Sequence, residues 1–383
     1  MKKKILIVNN NMNIGGIQKS LVNLLTQIHT EYDITLLLLY KSGELMEDIP
    51  SGIEIREGNV FTRIMGMTHA QAKERGILTF VWRSFWTVVT RVLGTKTSFS
   101  FLSLMQKVKG EFDAAISFMQ NDSDRIFYGG CNEFVLNAVK AKQKITFVHC
   151  DFKNYDGNNS YNKSIYKKFD KIAAVSKSVR MRFAEVMPDL ADRTYTVYNC
   201  YDFDSIRILA DAYETEYSEG KINLFSASRI SKEKGIIRMI PILKSIKDKG
   251  IDFIWRIAGG GIQTDEAKRM IKELNLTDNI ILLGELKNPY PYFKNSDILL
   301  VPSYAEAAPM VFYEAKALGL PVFSTDTTSA YEMIGNDGWV CENSDEMIEK
   351  ALFDVLKDTP SLKVNGDNLN NEKARLEFIE IIG

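Results

Sequence analysis

Apolar and polar positions follow one grammar through most of the chain: a short continuous apolar run, a polar or glycine-bearing loop, then apolar positions at helical spacing. The first run, Lys4 to Val8, ends at the polar loop Asn9 to Asn13 and Gly15-Gly16. Ile17, Leu21, Leu24 or Leu25 and Ile28 then recur with the period of a helix. Ile34 to Tyr40 is apolar without alternation, which predicts a parallel strand covered on both faces. Further strands are predicted at Ala114 to Phe118, Lys144 to Val148 and Lys171 to Val175.

The second half restarts the pattern. Strands are predicted at Ile222 to Ala227, Phe253 to Ala258, Ile280 to Leu283, Ile298 to Val301 and Pro321 to Ser324. Helices lie between them at about Gly235 to Lys249, Gln263 to Leu274, Pro309 to Leu318 and Asp345 to Lys357. This alternation predicts an α/β protein with two parallel sheets, and 383 residues suit two cores better than one. The polar segment Asp202 to Ser218 divides the halves, giving domains 1–205 and 206–369. A last helix, from about Glu372 to Ile381 within 370–383, is expected to dock back on the first domain.

Composition narrows the function. A hydrophobic fraction of 45% and a charged fraction of 25% fit a globular protein, and a net charge of -1 argues against a nucleic-acid binder. Cys131, Cys150, Cys200 and Cys341 are scattered with no metal-ligand spacing, which suits reduced thiols in a cytoplasm. Lys2-Lys3-Lys4 followed by Ile5-Leu6-Ile7-Val8 imitates a signal peptide, but Asn9-Asn10-Asn11 ends the run at once. No apolar stretch approaches the roughly 20 residues needed to span a bilayer, so any membrane contact is expected to be peripheral.

In open α/β sheets ligands sit beyond the carboxyl ends of strands, so the residues after each strand carry the chemistry. After Ile298 to Val301 comes Pro302-Ser303-Tyr304-Ala305-Glu306-Ala307-Ala308-Pro309-Met310-Val311-Phe312-Tyr313-Glu314. Pro309 is expected at the first helical position, so that the amides of the helix start can hold a phosphate or sugar oxygen. Glu306 then precedes the helix and Glu314 lies inside it, each able to take a hydroxyl or diol; the alternative is a loop carboxylate and a solvated helix residue. After Ile222 to Ala227, Arg229 and Lys234 can grip a diphosphate, against the commoner fate of a solvated basic loop capped by Glu233.

Ala258-Gly259-Gly260-Gly261 allows close backbone approach to a ligand, but as a dinucleotide fingerprint it lacks the third Gly, where Thr264 stands. Gly15-Gly16 with Lys19-Ser20 suggests a triphosphate loop, yet Gln18 stands where glycine is required. His149, just after a strand, can donate to a sugar hydroxyl or be a satisfied core histidine. Asp122-Ser123-Asp124 and Asp202-Phe203-Asp204 look like D-x-D metal elements, but neither sits with the basic loop, so no metal is expected.

Taken in order, these pieces resemble the GT4 family of retaining GT-B glycosyltransferases over nearly the whole chain. The resemblance rests on P-S-x-x-E-x-x-P-x-V-x-x-E-A-x-A-x-G-x-P-V from Pro302 to Val322, on Arg229 and Lys234 before Gly235, on Gly15-Gly16, on His149 and on Ala174-Val175-Ser176-Lys177-Ser178. It implies two Rossmann-like domains facing a central cleft, with the acceptor side first and the nucleotide-sugar side second. It also implies a hexosyl transfer with retention from a nucleotide-diphosphate sugar, by default a UDP-sugar, to a glycan or lipid-linked saccharide in bacterial capsular or exopolysaccharide synthesis.

Under this resemblance Arg229 and Lys234 would stabilise the leaving diphosphate without metal or cofactor. Glu314 would hold the ribose, Glu306 and the Ala307, Ala308, Pro309, Met310 and Val311 stretch would read the sugar and its phosphate, Gly15, Gly16 and Gly260 would line the donor, and His149 would meet the sugar. Two departures stand out: Ala307 where the family commonly has glycine, and Tyr198-Asn199-Cys200-Tyr201-Asp202 in place of P-N-G-V-D. The rival readings are a sugar-nucleotide epimerase of the same shape and a non-catalytic partner subunit that binds a nucleotide sugar.

From Arg63 to Lys109 eight Lys or Arg stand against one Glu, interleaved with Phe80, Trp82, Phe85, Trp86, Leu93, Phe99 and Phe101. Such a segment suits an anionic membrane surface on the cytoplasmic side. The alternative is that its aromatics fill the N-terminal core.

Overall fold

The computed structural model describes residues 2–357, 362 and 364–383. The chain divides into two units, Met1–Cys200 with Asn371–Gly383, and Tyr201–Asn370.

Unit 1 holds seven strands: β1 (Lys4–Asn9), β2 (Asp33–Leu38), β3 (Glu54–Glu57), β4 (Phe112–Ser117), β5 (Ala141–Val148), β6 (Lys171–Ala174) and β7 (Thr194–Thr196). They form one parallel sheet in the order β3-β2-β1-β4-β5-β6-β7. The continuous apolar runs in β1 and β2 follow from burial on both faces, with only their first residues exposed. Asn9, expected in a loop, closes β1, and Asn9, Asn10 and Asn11 are fully buried. Asn11 donates to the Gly66 carbonyl at 3.0 Å and to the Tyr128 hydroxyl at 2.9 Å, and Asn9 Nδ2 donates to the Asn11 carbonyl at 2.9 Å, within the polar bed beneath the first loop.

Unit 2 holds β8 (Ile222–Ala227), β9 (Phe253–Ala258), β10 (Ile280–Gly284), β11 (Ile298–Val301), β12 (Val322–Thr325) and β13 (Gly338–Cys341). Their order is β10-β9-β8-β11-β12-β13. Alternate residues serve two cores: Leu224, Ile298 and Leu300 pack on one face, Phe225, Leu299 and Val301 on the other. Both faces therefore demand apolar side chains.

The strands that the apolar pattern misses, β3, β7 and β13, lie at sheet edges. β3 reads Glu-Ile-Arg-Glu and β7 has three residues, so neither carries an apolar run, and short or charged edges resist pairing with other chains. In β13, a Cβ on Gly338 would fall 2.0 Å from the Val322 carbonyl oxygen, so only glycine fits.

The last helix, Glu372–Ile382, packs into unit 1 with Phe378 and Ile381 fully buried. Phe378 meets Tyr32 edge-on at 6.2 Å. Gln143 and Lys171 donate to the Ile381 carbonyl at 2.9 and 2.7 Å. Strand order reverses between β1 and β4 in one sheet and between β8 and β11 in the other, and these switch points position the candidate site residues.

Candidate active site

In unit 2 the segments after β8 and β11 leave neighbouring strands at the switch point. After β8 the chain makes a 3-10 turn, Lys232–Lys234, and then enters the helix Ile236–Asp248 through Gly235. Gly235 has φ +68°, and a Cβ there would lie 2.0 Å from the Pro302 carbonyl oxygen. Only glycine permits both the left-handed conformation and this approach. The Tyr304 amide donates to the Glu233 carbonyl at 2.8 Å, tying the two segments together.

This stitching brings Lys234 onto Glu306. The Lys234 ammonium pairs with Glu306 Oε1, and the Ser303 hydroxyl donates to the same oxygen at 3.0 Å. The two charged side chains are only 20% and 14% exposed, so the pair is shielded from bulk water. Thr328 donates its amide to the Glu306 carbonyl at 3.1 Å and fixes the loop from the far side. Ala307 and Ala308 follow, half-buried.

Pro309 does not start the helix. With φ −64° and ψ 126° it is still extended and occupies the cap, so Met310–Ala317 is the helix. The correction moves the helix start by one residue and leaves the first-turn amides beginning at Met310. Glu314, inside this helix, is 3% exposed and accepts from the Tyr290 hydroxyl at 3.3 Å. A solvated helix carboxylate is thereby excluded.

Arg229 stands apart from Lys234 and Glu306. Its side chain is 73% exposed and pairs with Glu233 at 2.9 Å. The glycine run after β9 packs against the same loop: a Cβ on Gly259 would strike the Ser228 carbonyl at 1.9 Å, and one on Gly261 the Ile230 carbonyl at 2.4 Å. These two glycines let two loops touch through their backbones. Gly260 lies beside the Glu285 carboxylate, 3.3 Å from where its Cβ would stand.

Gly15, Gly16 and His149 belong to unit 1, beyond the carboxyl ends of β1 and β5 with β4 between them. Gly15 is extended and caps the helix Gly16–Ile28. His149 Nε2 lies 3.0 Å from the Phe118 carbonyl, which can only accept, so the ring proton resides on Nε2 and Nδ1 is left as an acceptor. The ring is thus held by the backbone of its own unit, and its remaining nitrogen can accept but not donate. Burial between Phe118 and Phe147 lowers its pKa to about 4, so the ring is neutral at physiological pH.

The two D-x-D look-alikes have local uses. Asp202 caps the helix Phe203–Ala210 through the Ser205 amide at 3.0 Å, and Asp122 accepts from the Ser123 amide at 2.7 Å. Among the described residues no three His, Cys, Asp or Glu side chains form a group able to hold a metal ion. All four cysteines are free and buried.

Sequence reasoning misses Arg238. It projects from the helix Ile236–Asp248 into the interior, where it donates to the Pro302 carbonyl from Nε at 3.0 Å and from Nη2 at 2.5 Å. Nη2 also reaches the Ser303 carbonyl at 3.3 Å, the guanidinium lies 3.8 Å from the Tyr304 ring centroid, and Asp345 is 3.7 Å away. The signal was one arginine in the apolar stretch Ile236-Ile237-Arg238-Met239-Ile240, at a core-facing position.

Comparison with known proteins fits this geometry. Residues 212–371 match the family model described as glycosyl transferases group 1, which spans nearly all of unit 2. The capsular polysaccharide biosynthesis glycosyltransferase CapM of Staphylococcus aureus is 30% identical over 135 residues, 33% of this chain and 35% of the relative. The N-acetylgalactosamine-N,N'-diacetylbacillosaminyl-diphospho-undecaprenol 4-alpha-N-acetylgalactosaminyltransferase of Campylobacter jejuni is 24% identical over 350 residues, 90% of this chain and 86% of the relative. Several curated relatives are matched over less than half their length, 41% and 43% in two further cases. Among solved structures, Anabaena Alr3699/HepE in complex with UDP and glucose superposes with a TM-score of 0.67 at 15% identity, covering 99% of this chain and 98% of that one. Unit 2 is therefore a group 1 glycosyltransferase domain, in a chain whose fold over its whole length is that of the GT-B glycosyltransferases.

Proposed function

We propose that this chain moves a hexosyl group, with retention and without a metal, from a UDP-sugar to a glycan or lipid-linked saccharide during synthesis of a bacterial surface polysaccharide. The observation that carries the reading is the shielded Lys234–Glu306 pair at the β8/β11 switch point of a group 1 glycosyltransferase domain. A diphosphate entering beside Lys234 takes over the ammonium and releases the Glu306 carboxylate to accept from a sugar hydroxyl. Arg229 leaves Glu233 at little cost, because exposed ion pairs are worth about 0–1 kcal/mol. As the sugar–phosphate bond breaks and the acceptor oxygen bonds to the same carbon, the acceptor's proton passes to the departing diphosphate, whose remaining charge these two cations offset. Glu314 takes the ribose diol, and the amides from Met310 take a phosphate oxygen.

The donor class is supported by the UDP and glucose bound to HepE, and the acceptor class by the capsular and diphospho-undecaprenol activities in the relatives' names. The test is a thermal-shift panel of nucleotide sugars without added metal, on wild type and Arg229→Ala. At a concentration of 100 Kd a bound donor stabilises its unit by about 2.7 kcal/mol, a rise of roughly 5–10 °C. A rise with a UDP-sugar that Arg229→Ala loses supports the reading, and no rise with any donor overturns it. Product analysis then separates transfer from epimerisation: a nucleotide sugar altered but never cleaved would mark an epimerase.

A further inference from the structure

The segment 63–109 contains a helix built inside out. Ile77–Leu93 buries Arg83, Trp86 and Thr90, while Leu78, Val81, Phe85, Val88 and Val92 are exposed. The exposures are not marginal: Leu78 is 83% and Val92 67% exposed. Those five residues recur at spacings of three and four, so they form a single stripe along the helix.

The inward face is committed to the protein. Arg83 donates to the Met67 carbonyl at 2.8 Å and the Phe127 carbonyl at 3.2 Å, and the Thr90 hydroxyl meets Ser98 Oγ at 2.5 Å. The helix cannot roll to hide its apolar stripe without breaking these bonds. Phe101, Leu104 and Met105 extend the exposed apolar surface onto the end of the following helix. The core alternative holds for part of this segment, since Trp86, Phe99 and Leu102 fill the core.

Charge identifies the occupant. Lys73 and Arg75 are exposed just before the helix, and Arg91 and Lys96 at its far end. Exposed Arg125 joins them there, donating to the Arg91 and Val92 carbonyls at 2.8 and 3.0 Å. Glu74 lies between Lys73 and Arg75, and Asp124 pairs with Arg125 at 3.7 Å, yet cations stay in excess at both ends of the helix, so pairing two copies through this stripe would set cation on cation in either orientation. An anionic lipid surface satisfies the apolar middle and both basic ends together. Among the described residues no helix is long and apolar enough to cross a membrane, so the contact lies in the interface plane.

We propose that the Leu78–Val92 stripe inserts into the headgroup boundary of an anionic bilayer, with the flanking cations on the lipid phosphates. This concerns the acceptor half of the proposed reaction, holding the enzyme where a lipid-linked saccharide is presented. Donor binding can fail or succeed independently of it.

The test is sedimentation of the full chain with phosphatidylglycerol or phosphatidylcholine vesicles, at low and high salt, for wild type and a Leu78→Gln/Phe85→Gln/Val88→Gln variant. Wild type is expected to bind the anionic vesicles more tightly than the zwitterionic ones, with partial loss in salt. The variant should lose about tenfold per side chain, roughly a thousandfold in all. Its melting temperature should stay within a few degrees of wild type, because Leu78 and Val88 are exposed and only Phe85 gives up ring contacts, and its response to UDP-sugar should be unchanged. Trp82, stacked on Phe85 at 5.9 Å, should shift its emission to the blue on binding in wild type only. Failure of wild type to bind anionic vesicles overturns the proposal. So does vesicle binding that the variant retains in full, or a dimer that the variant dissolves. A missing UDP-sugar response in both proteins, with vesicle binding intact, would instead count against the donor reading alone.

Discussion

Replacing Arg238 by methionine tests whether one buried guanidinium fixes the loop that presents Glu306. The arginine supplies two charge-assisted hydrogen bonds to the Pro302 carbonyl, a weaker one to Ser303 and a face-on contact with Tyr304. Each charged hydrogen bond contributes about 1.5–3 kcal/mol, and a desolvated cation–π contact about 1–2 kcal/mol. Against these stands the cost of holding the cation inside, the same burial that lowers the Arg238 pKa. Methionine keeps the packing volume of the stem but leaves the Pro302 carbonyl without its donor. The net loss should be about 2–4 kcal/mol, a fall of roughly 5–15 °C in the unit 2 transition by calorimetry. Lysine should recover less than half, because a point charge cannot serve Pro302 twice and lie flat on Tyr304. UDP-sugar affinity should fall further than stability alone explains, since the Glu306 loop loses its anchor. A melting temperature within 2 °C of wild type for Arg238→Met, with donor affinity unchanged, would refute the reasoning.

Gly235→Ala meets both an unfavourable φ and the Pro302 carbonyl, and should destabilise unit 2 by about 3 kcal/mol or more in urea denaturation. Lys234→Met should abolish the UDP-sugar thermal shift, while in the absence of donor the melt falls by only a few degrees because Ser303 still serves Glu306. His149 has its pKa lowered to about 4 by burial, so between pH 6.5 and 4 the unfolded chain binds a proton that the folded ring refuses. Stability should fall across that window by up to about 3 kcal/mol and be indifferent to this group above it, and urea midpoints of His149→Asn should show a shallower acid limb. Ending the chain at Asn370 removes Phe378 and Ile381 from unit 1, and its melting transition should be lost or fall by more than 15 °C while that of unit 2 stays put.

The apolar grammar exposes every central strand because those strands bury both faces, as Leu224 and Phe225 do on opposite sides of one sheet. It fails at β3, β7 and β13, where a strand has one neighbour and need not be apolar. At the site, strand-end position picks out Glu306 and Lys234, and the fold joins them. Their pairing is not legible in sequence, because it depends on Gly235 letting one loop settle on Pro302. Arg238 escapes for a related reason: a charged residue in an apolar stretch looks like an exception until its acceptors, two carbonyls from 64 and 65 residues away, are known. The inside-out helix hides differently, since Phe85 and Trp86 are adjacent and equally apolar, and only the structure tells which faces water.

The helix Glu372–Ile382 completes unit 1, although all of unit 2 precedes it in the chain. A ribosome adding roughly 5–20 residues per second needs on the order of ten to thirty seconds to deliver Tyr201–Asn370. Throughout that interval the nascent first unit lacks the side chains of Phe378 and Ile381, and Tyr32 has no aromatic partner there. Unit 2 can fold whole as it emerges. Unit 1 is closed only after unit 2 has been made, and until then the nascent chain lies open to chaperones and proteases at the seam that Glu372–Ile382 seals.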